Sequence, residues 1–417
     1  MITLTIFSPT DFQGLRGPLI IYDPEDPQKH LYDVDDESTI FQVGDSWHNS
    51  TVPLLAGYVA TGIVPVSDSG TVDGAGRFQG GPAVPFAVTN VVKGQRYRLR
   101  IINQSARNVF TISIDKHFLT IIEADGVATQ PLLVNEIEML AGQRYSAIVS
   151  TPPQLSGSLA LELINMAHSF TQTRPLINNA PFVSGDPSRN LNQNATLSRG
   201  ILRYAGGRRE DPRTPMTLGP DPTNPLAFVE ANLKPLVNNP PGIPDVNITL
   251  NLVVTTGAAQ WNVNNVSYLP PVVPTLVKIL AGADEPANFN VTENTFLLPV
   301  NATIQITFPP MLMTKLTPST YTEYVTIFLI LLHPIDAFPK NNFWVVKSNS
   351  SDSDVINTID PIKRDVTAVG AEGTIVRFTT DNIVMASGTD EVRTDVEPDA
   401  AWEGLCPAYD ALPSALQ

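Results

Sequence analysis

The sequence predicts a mostly β protein built of sandwiches or barrels, and three observations carry that prediction. Thirty-seven prolines are spread through nearly every segment, and an interior proline costs a helix roughly 3 kcal/mol, so long helices are not expected. Many short runs alternate apolar and polar residues, the period of a strand with one covered face. Gly, Asn, Asp or Pro stands between these runs, a spacing that suits sandwiches better than βαβ units.

In chain order the runs are Gly17–Tyr22 (GPLIIY), Tyr97–Ile102 (YRLRII), Phe110–Ile114 (FTISI), His117–Glu123, Arg144–Val149, Leu159–Ile164, Val246–Thr255 and Gly373–Phe378. The string GQRY occurs at Gly94–Tyr97 and again at Gly142–Tyr145, each time leading from a turn into an alternating strand. It marks two equivalent strand starts in one sandwich. From Ala205 to Asp245 a Pro-, Asn- and Arg-rich stretch shows no sustained period and reads as a linker before a second β region. Two segments break the pattern. Met311–Lys340 lacks the alternation on either side of it, and the strand TIVRFTTDN runs into IVMASGTDEV at Asn382 and Ile383 with no turn residue between them.

A length of 417 residues accommodates two or three domains. Forty-one acidic residues against 26 basic ones give a net charge of −15, a field that repels phosphate backbones and anionic lipid, so neither nucleic acid nor a membrane surface is expected as a partner. The apolar stretch Val325–Leu332 is far short of the roughly 18 residues a spanning helix needs. The N-terminal residues have neither the basic nor the long apolar region of a signal peptide. A single cysteine, Cys406, closes no intramolecular disulfide and suggests a reducing compartment. Against that stand eight sequons, at Asn49, Asn103, Asn194, Asn247, Asn265, Asn290, Asn301 and Asn349, which suggest a secreted glycoprotein.

No catalytic constellation emerges from the residues themselves. The run Asp33, Asp35, Asp36, Glu37 lacks the spacing and central Gly of a calcium loop and reads as a solvated acidic loop. Gly74–Gly81 has Gln79 where the third Gly of a dinucleotide loop belongs. Gly44–His48 starts like a nucleophile elbow and closes on His instead of Gly. The five histidines, His30, His48, His117, His168 and His333, are too far apart in sequence to form a local ligand pair.

Seven strings nevertheless carry a specific resemblance: Gly14–Ile40, Ser113–Val127, Ala141–Ser150, Pro270–Ala283, Asp360–Val366, Ile375–Asn382 and Trp402–Leu412. Taken in order along nearly the whole chain, they resemble fungal, especially basidiomycete, laccases of the multicopper oxidase family. The resemblance implies an all-β fold of cupredoxin-like Greek-key sandwiches. Residues 1–25 would be a remnant of a first domain, 26–206 a second domain, 207–245 a linker and 246–417 an incomplete third domain. It also implies copper as cofactor, phenols and dioxygen as substrates, a monomeric state and an extracellular location. Laccases oxidise phenols one electron at a time at a type-1 copper held by Cys and His, and a trinuclear cluster held by eight His reduces dioxygen to water.

The family pattern calls for ten His in four motifs, and this chain has five in all. One motif should precede Phe343, where His333-Pro334 and IDAFPKNN stand, and another should lie between Asn382 and Ile383. His333 alone could correspond to a ligand, the first type-1 His. The chain as given is therefore expected to bind no copper and to be inactive, with a non-catalytic secreted cupredoxin-like glycoprotein as the alternative. Losses in blocks flanked by matched sequence point to exon skipping, intron retention or a gene-model error rather than to drift. Cys406 matches a family Cys whose disulfide partner belongs to the first domain, which removes the argument for a reducing compartment. A second family disulfide would join the positions of Phe12 and Ala106, neither of them Cys here. Arg107 stands where many relatives carry the acidic residue that binds the phenol, so substrate preference should differ from theirs.

Overall fold

The computed structural model describes residues 2–5, 16–61, 65, 67–105, 108, 110–150, 167–175, 197–207, 209, 211, 226–255, 260–283, 285–299, 301–310, 325–328, 343–348, 356–369 and 373–380. The chain divides into two compact units, and the main division falls between Asn238 and Asn239.

In the first unit, β1 (Ile2–Thr5) pairs antiparallel with β2 (Arg16–Leu19). Then come β3 (Ile40–Ser46), α1 (Thr51–Thr61), β4 (Ser69–Val72), β5 (Val88–Val91), β6 (Arg96–Asn103), β7 (Phe110–Ile114), β8 (Leu119–Ala124), β9 (Val127–Val134), β10 (Glu136–Met139), β11 (Arg144–Ser150), β12 (Ala167–Pro175) and β13 (Arg199–Tyr204). One sheet has the order β4-β3-β6-β11-β8-β9 and the other β10-β7-β12-β13-β5. Between β6 and β11 the chain moves repeatedly from one sheet to the other, as a two-layer Greek-key fold requires.

The two GQRY strings begin neighbouring strands. β6 and β11 pair antiparallel, with Tyr97 opposite Val149 and Tyr145 opposite Ile101. Each string opens with Gly at positive φ, +87° at Gly94 and +81° at Gly142, and Gln then closes the turn by donating its N–H to the carbonyl of Val92 or Leu140. Alternation in these strands predicts one solvent face, but β6, β7 and β11 are buried along almost their whole length. Leu99, Ile101, Ile112, Ala147 and Val149 supply the apolar burial. The polar positions are buried too, because they pair with one another.

Three predicted features differ. The helix α1 forms despite Pro53, which lies in its first turn, where the missing N–H breaks no helical bond. The run Val246–Thr255 is not one strand; it breaks at Leu250 and Asn251 into pieces that join different sheets. Part of the expected linker is structured. Lys234 and Leu236 bond to Gln130 and Ala128 of β9, so this stretch covers a sheet edge that would otherwise present unpaired backbone groups.

From residue 239 onward, β14 (Val246–Thr249), β15 (Leu252–Thr255), β16 (Gln260–Val263), β17 (Val266–Ser267) and α2 (Thr275–Leu280) precede β18 (Thr303–Phe308), β19 (Val325–Phe328), β20 (Phe343–Lys347), β21 (Lys363–Arg364), β22 (Val366–Val369) and β23 (Thr374–Thr379), all in the second unit except β19, whose Val325 and Thr326 are assigned to the first. Its larger sheet has the order β14-β18-β23-β20-β21, and β15, β16 and β17 form a meander. Ile304, Ile306, Phe308, Phe343, Val345, Val376 and Phe378 are buried within it. The indole N–H of Trp344 donates to the Asn239 carbonyl at 2.8 Å. The predicted strand Leu159–Ile164, residues 311–324 and 329–340 of the first irregular segment, and the Asn382–Ile383 junction lie outside the described residues.

Candidate functional site

A copper centre needs several imidazoles converging on one point. His117 sits in the tight turn between β7 and β8, where Lys116 takes a positive φ of +61° and the His117 N–H donates to the Ile114 carbonyl at 3.1 Å. Its ring is buried. Nδ1 lies 2.7 Å from the Asp115 carbonyl and Nε2 lies 2.7 Å from the Tyr204 hydroxyl at the end of β13. A carbonyl can only accept, so Nδ1 carries the proton; the Nε2 of the neutral ring is then an acceptor and the Tyr204 O–H donates to it. Burial lowers the His117 pKa below the ordinary histidine range, which keeps the ring neutral. The two rings stack with centroids 6.0 Å apart. Both nitrogens are engaged, so His117 does not fit a copper ligand.

His48 lies exposed after β3, 3.5 Å from the Asp68 carboxylate and edge-on to Phe78. His30 is in a single-turn 3-10 helix, Lys29–Leu31, at the surface. The backbone of His168 belongs to β12, opposite Leu202. Among the described residues no three His, Cys, Asp or Glu side chains converge in a way that could hold a metal ion. His333, Cys406, Arg107, Phe12, Ala106, Asn194 and Asn349 lie outside the described residues.

Of the other sequon positions, Asn49, Asn247, Asn265, Asn290 and Asn301 are exposed. Asn103 is fully buried, and its amide nitrogen donates to the carbonyls of Asn108 and Met139 at 3.0 and 3.1 Å. A glycan on Asn103 is incompatible with this fold.

Asp33, Asp36 and Glu37 of the acidic run are exposed, as a solvated loop would have them, and Asp35 is the exception. The Asp35 side chain is buried and receives a two-pronged bond from Arg100, Nε and Nη2 each 2.7 Å from its oxygens. Asp33 pairs at the surface with Arg96, and Asp36 caps the next turn. Arg98, beside Arg100 on β6, bridges Asp26 at 2.6 Å and also bonds Glu123. Ser146 on β11 donates to Glu123 at 2.6 Å, and Tyr32 donates to Asp26 at 2.6 Å. Burial alone would raise the Glu123 pKa, but the surrounding positive charges, those of Arg98 and Arg100 among them, together with the Ser146 hydroxyl outweigh it and hold the carboxyl at about 2. Every charge here has a partner, which marks a structural network rather than a reactive site. Sequence reading missed it because no local spacing relates Asp26, Asp35, Arg98 and Glu123.

The loop resembling a phosphate site is a turn at the end of β4, with Asp73 and Gly74 both at positive φ and reciprocal bonds between Val72 and Ala75. Gly44 and Ser46 of the elbow-like string lie within the extended strand β3, paired with β4. A cleft of about 380 Å³ is lined by Glu37, Ser38, Gln42, Asp73, Thr89 and Asn90 among others. Its donors are oxygens and amides with no imidazole, a poor set for copper.

Two multicopper oxidase family models match the chain, over residues 37–163 and 268–385. Laccase-1 of Agaricus bisporus is 33% identical across 97% of this chain and 74% of its own length. Laccase-4 of Trametes villosa is 33% identical across 96% and 73%. Among solved structures, the laccase from Botrytis aclada superposes with a TM-score of 0.63 at 20% identity, covering 89% of this chain and 68% of that one. Fet3p, a multicopper oxidase that functions in iron import, gives 0.66 at 19%, covering 91% and 67%. At such identities the structural likeness speaks to the fold, which is cupredoxin-like, while the sequence likeness speaks to descent. The chain belongs to the multicopper oxidase family and is of the fungal laccase type.

Proposed function

We propose that this protein derives from a laccase, oxidising phenols one electron at a time and passing the electrons to dioxygen, and that the 417-residue chain by itself holds no copper and does not perform that reaction. Copper would supply both the electron acceptor for the phenol and the site of dioxygen reduction, and the family assigns both tasks to clustered His and Cys. The observation that carries the reading is the placement of His117. It is one of five histidines, and both of its ring nitrogens are spent within the core. In the same reading, residues 26–206 and 246–417 are the second and third cupredoxin domains, the protein is secreted, and the exposed sequons carry glycans.

The test is elemental analysis of the purified chain after incubation with copper(II) and removal of excess metal, together with oxygen uptake on a simple phenol. The expected result is substoichiometric copper, no intense blue absorption and no uptake. Stoichiometric copper with blue absorption would overturn the reading.

A further inference from the structure

We propose that Tyr204 and His117 form a proton-coupled one-electron redox site in the core of the first unit, able to take up an oxidising equivalent from a small aromatic radical. The proposal is independent of copper and of the reading above. Removing an electron from a phenol makes its O–H strongly acidic, so oxidation is easy only where a base in hydrogen-bond contact receives the proton in the same step. Tyr204 has such a base. Its O–H points at Nε2 of a neutral imidazole 2.7 Å away, and the Asp115 carbonyl fixes the tautomer by accepting from Nδ1–H. Both side chains are at most 6% exposed, so water does not compete for the pair.

Two other tyrosines show why the base matters. Tyr97 donates to the amide oxygen of Gln95 at 2.8 Å, a group that does not take up a proton. Tyr32 donates to Asp26. Burial raises that carboxyl's pKa, but the Tyr32 and Gln28 hydrogen bonds and the Arg98 charge lower it more, leaving a weak proton acceptor. Free imidazole is the strongest base of these three kinds of acceptor; burial lowers that basicity at His117, and the 2.7 Å contact with the Tyr204 hydroxyl gives the proton a direct path to it.

In the proposed step Tyr204 gives one electron to a one-electron oxidant of the aryl radical-cation class. The Oη–H bond breaks and the proton bonds to Nε2. The products are a neutral phenoxyl radical, an imidazolium whose Nδ1–H stays on the Asp115 carbonyl, and the oxidant reduced by one electron. A one-electron reductant reverses every change. Such a site would hold a radical on a buried side chain of the sandwich rather than on an exposed tyrosine such as Tyr22, where it could couple to other molecules.

The experiment uses the full chain with photogenerated tris(bipyridine)ruthenium(III) as oxidant and freeze-quench electron paramagnetic resonance as readout. A neutral tyrosyl radical is expected, absent from Tyr204→Phe and reduced at least tenfold in yield in His117→Phe. If either variant keeps the wild-type spectrum and yield, the pair is merely structural and the proposal falls, whatever the change in melting temperature. The wild-type chain gives a second reading that needs no variant. With nitrogen-15 histidine, electron–nuclear double resonance should detect an exchangeable proton and a nitrogen-15 coupling at the radical, and the absence of both would overturn the proposal.

Discussion

The two GQRY strings place the same four residues at the starts of two adjacent strands, yet their arginines live in different environments. Arg96 is half exposed and forms a surface pair with Asp33 at 2.7 Å. Arg144 is buried, 3.4 Å from the Asp125 carboxylate, with further bonds to the carbonyls of Gly142 and Asp125 at 3.3 and 3.2 Å. The glycine and glutamine do the same work in both copies: Gly supplies the left-handed turn and Gln closes it. Local sequence thus sets the turn, while the strand's position in the sheet decides what the charge contributes. Water screens Arg96, whereas Arg144 faces the Asp125 carboxylate in a low-dielectric interior, where a lost charge is felt more strongly.

The largest effect should follow from Arg144→Ala, which removes a buried cation from beside the Asp125 carboxylate and should lower stability by about 3–5 kcal/mol in urea unfolding. Next come Gly142→Ala and Gly94→Ala. A β-carbon in the left-handed region costs roughly 1–2 kcal/mol, and the two losses should be alike, because the φ values are alike. A clear inequality would break the equivalence of the two turns. Arg96→Ala should leave the urea midpoint unchanged within error, since its pair is open to solvent. An effect as large as that of Arg144→Ala would contradict the environmental account.

A pH titration of stability sharpens the same contrast between buried and exposed groups. The folded pKa of His117 lies below 6.5, so the unfolded chain takes that proton first. Stability is complete above the ordinary histidine value and declines as pH falls below it. Glu123 titrates at about 2 when folded against 4.5 ordinarily. Its contribution is present above 4.5 and is lost as pH falls towards 2. The thermal midpoint should therefore drop in two steps on acidification, and Tyr204→Phe should alter only the upper one.

The fold was legible in the sequence wherever local pattern suffices. The dispersed prolines, the alternating runs and the repeated turn string led to a β sandwich with β6 and β11 as equivalent starts. Pattern failed where the answer depends on partners distant along the chain. Alternation in YRLRII predicts a wet polar face, but Arg98 and Arg100 are buried because Asp26, Asp35 and Glu123 meet them there. Val246–Thr255 has the composition of one strand and splits because its halves join different sheets. A sequon shows that Asn103 has the right neighbours and cannot show that its amide is tied to Met139. His117 looked like a lone histidine, and only the fold brings Tyr204 to it.

The most direct test of this account is the state of His117 in solution. Long-range proton–nitrogen correlation spectra of the chain, recorded at neutral pH before and after adding copper(II), report which ring nitrogen carries the proton and whether metal approaches it. The account predicts a neutral ring protonated at Nδ1 whose signals copper leaves unchanged. Loss of the His117 signals on adding one equivalent of copper, or a proton found on Nε2, would contradict it.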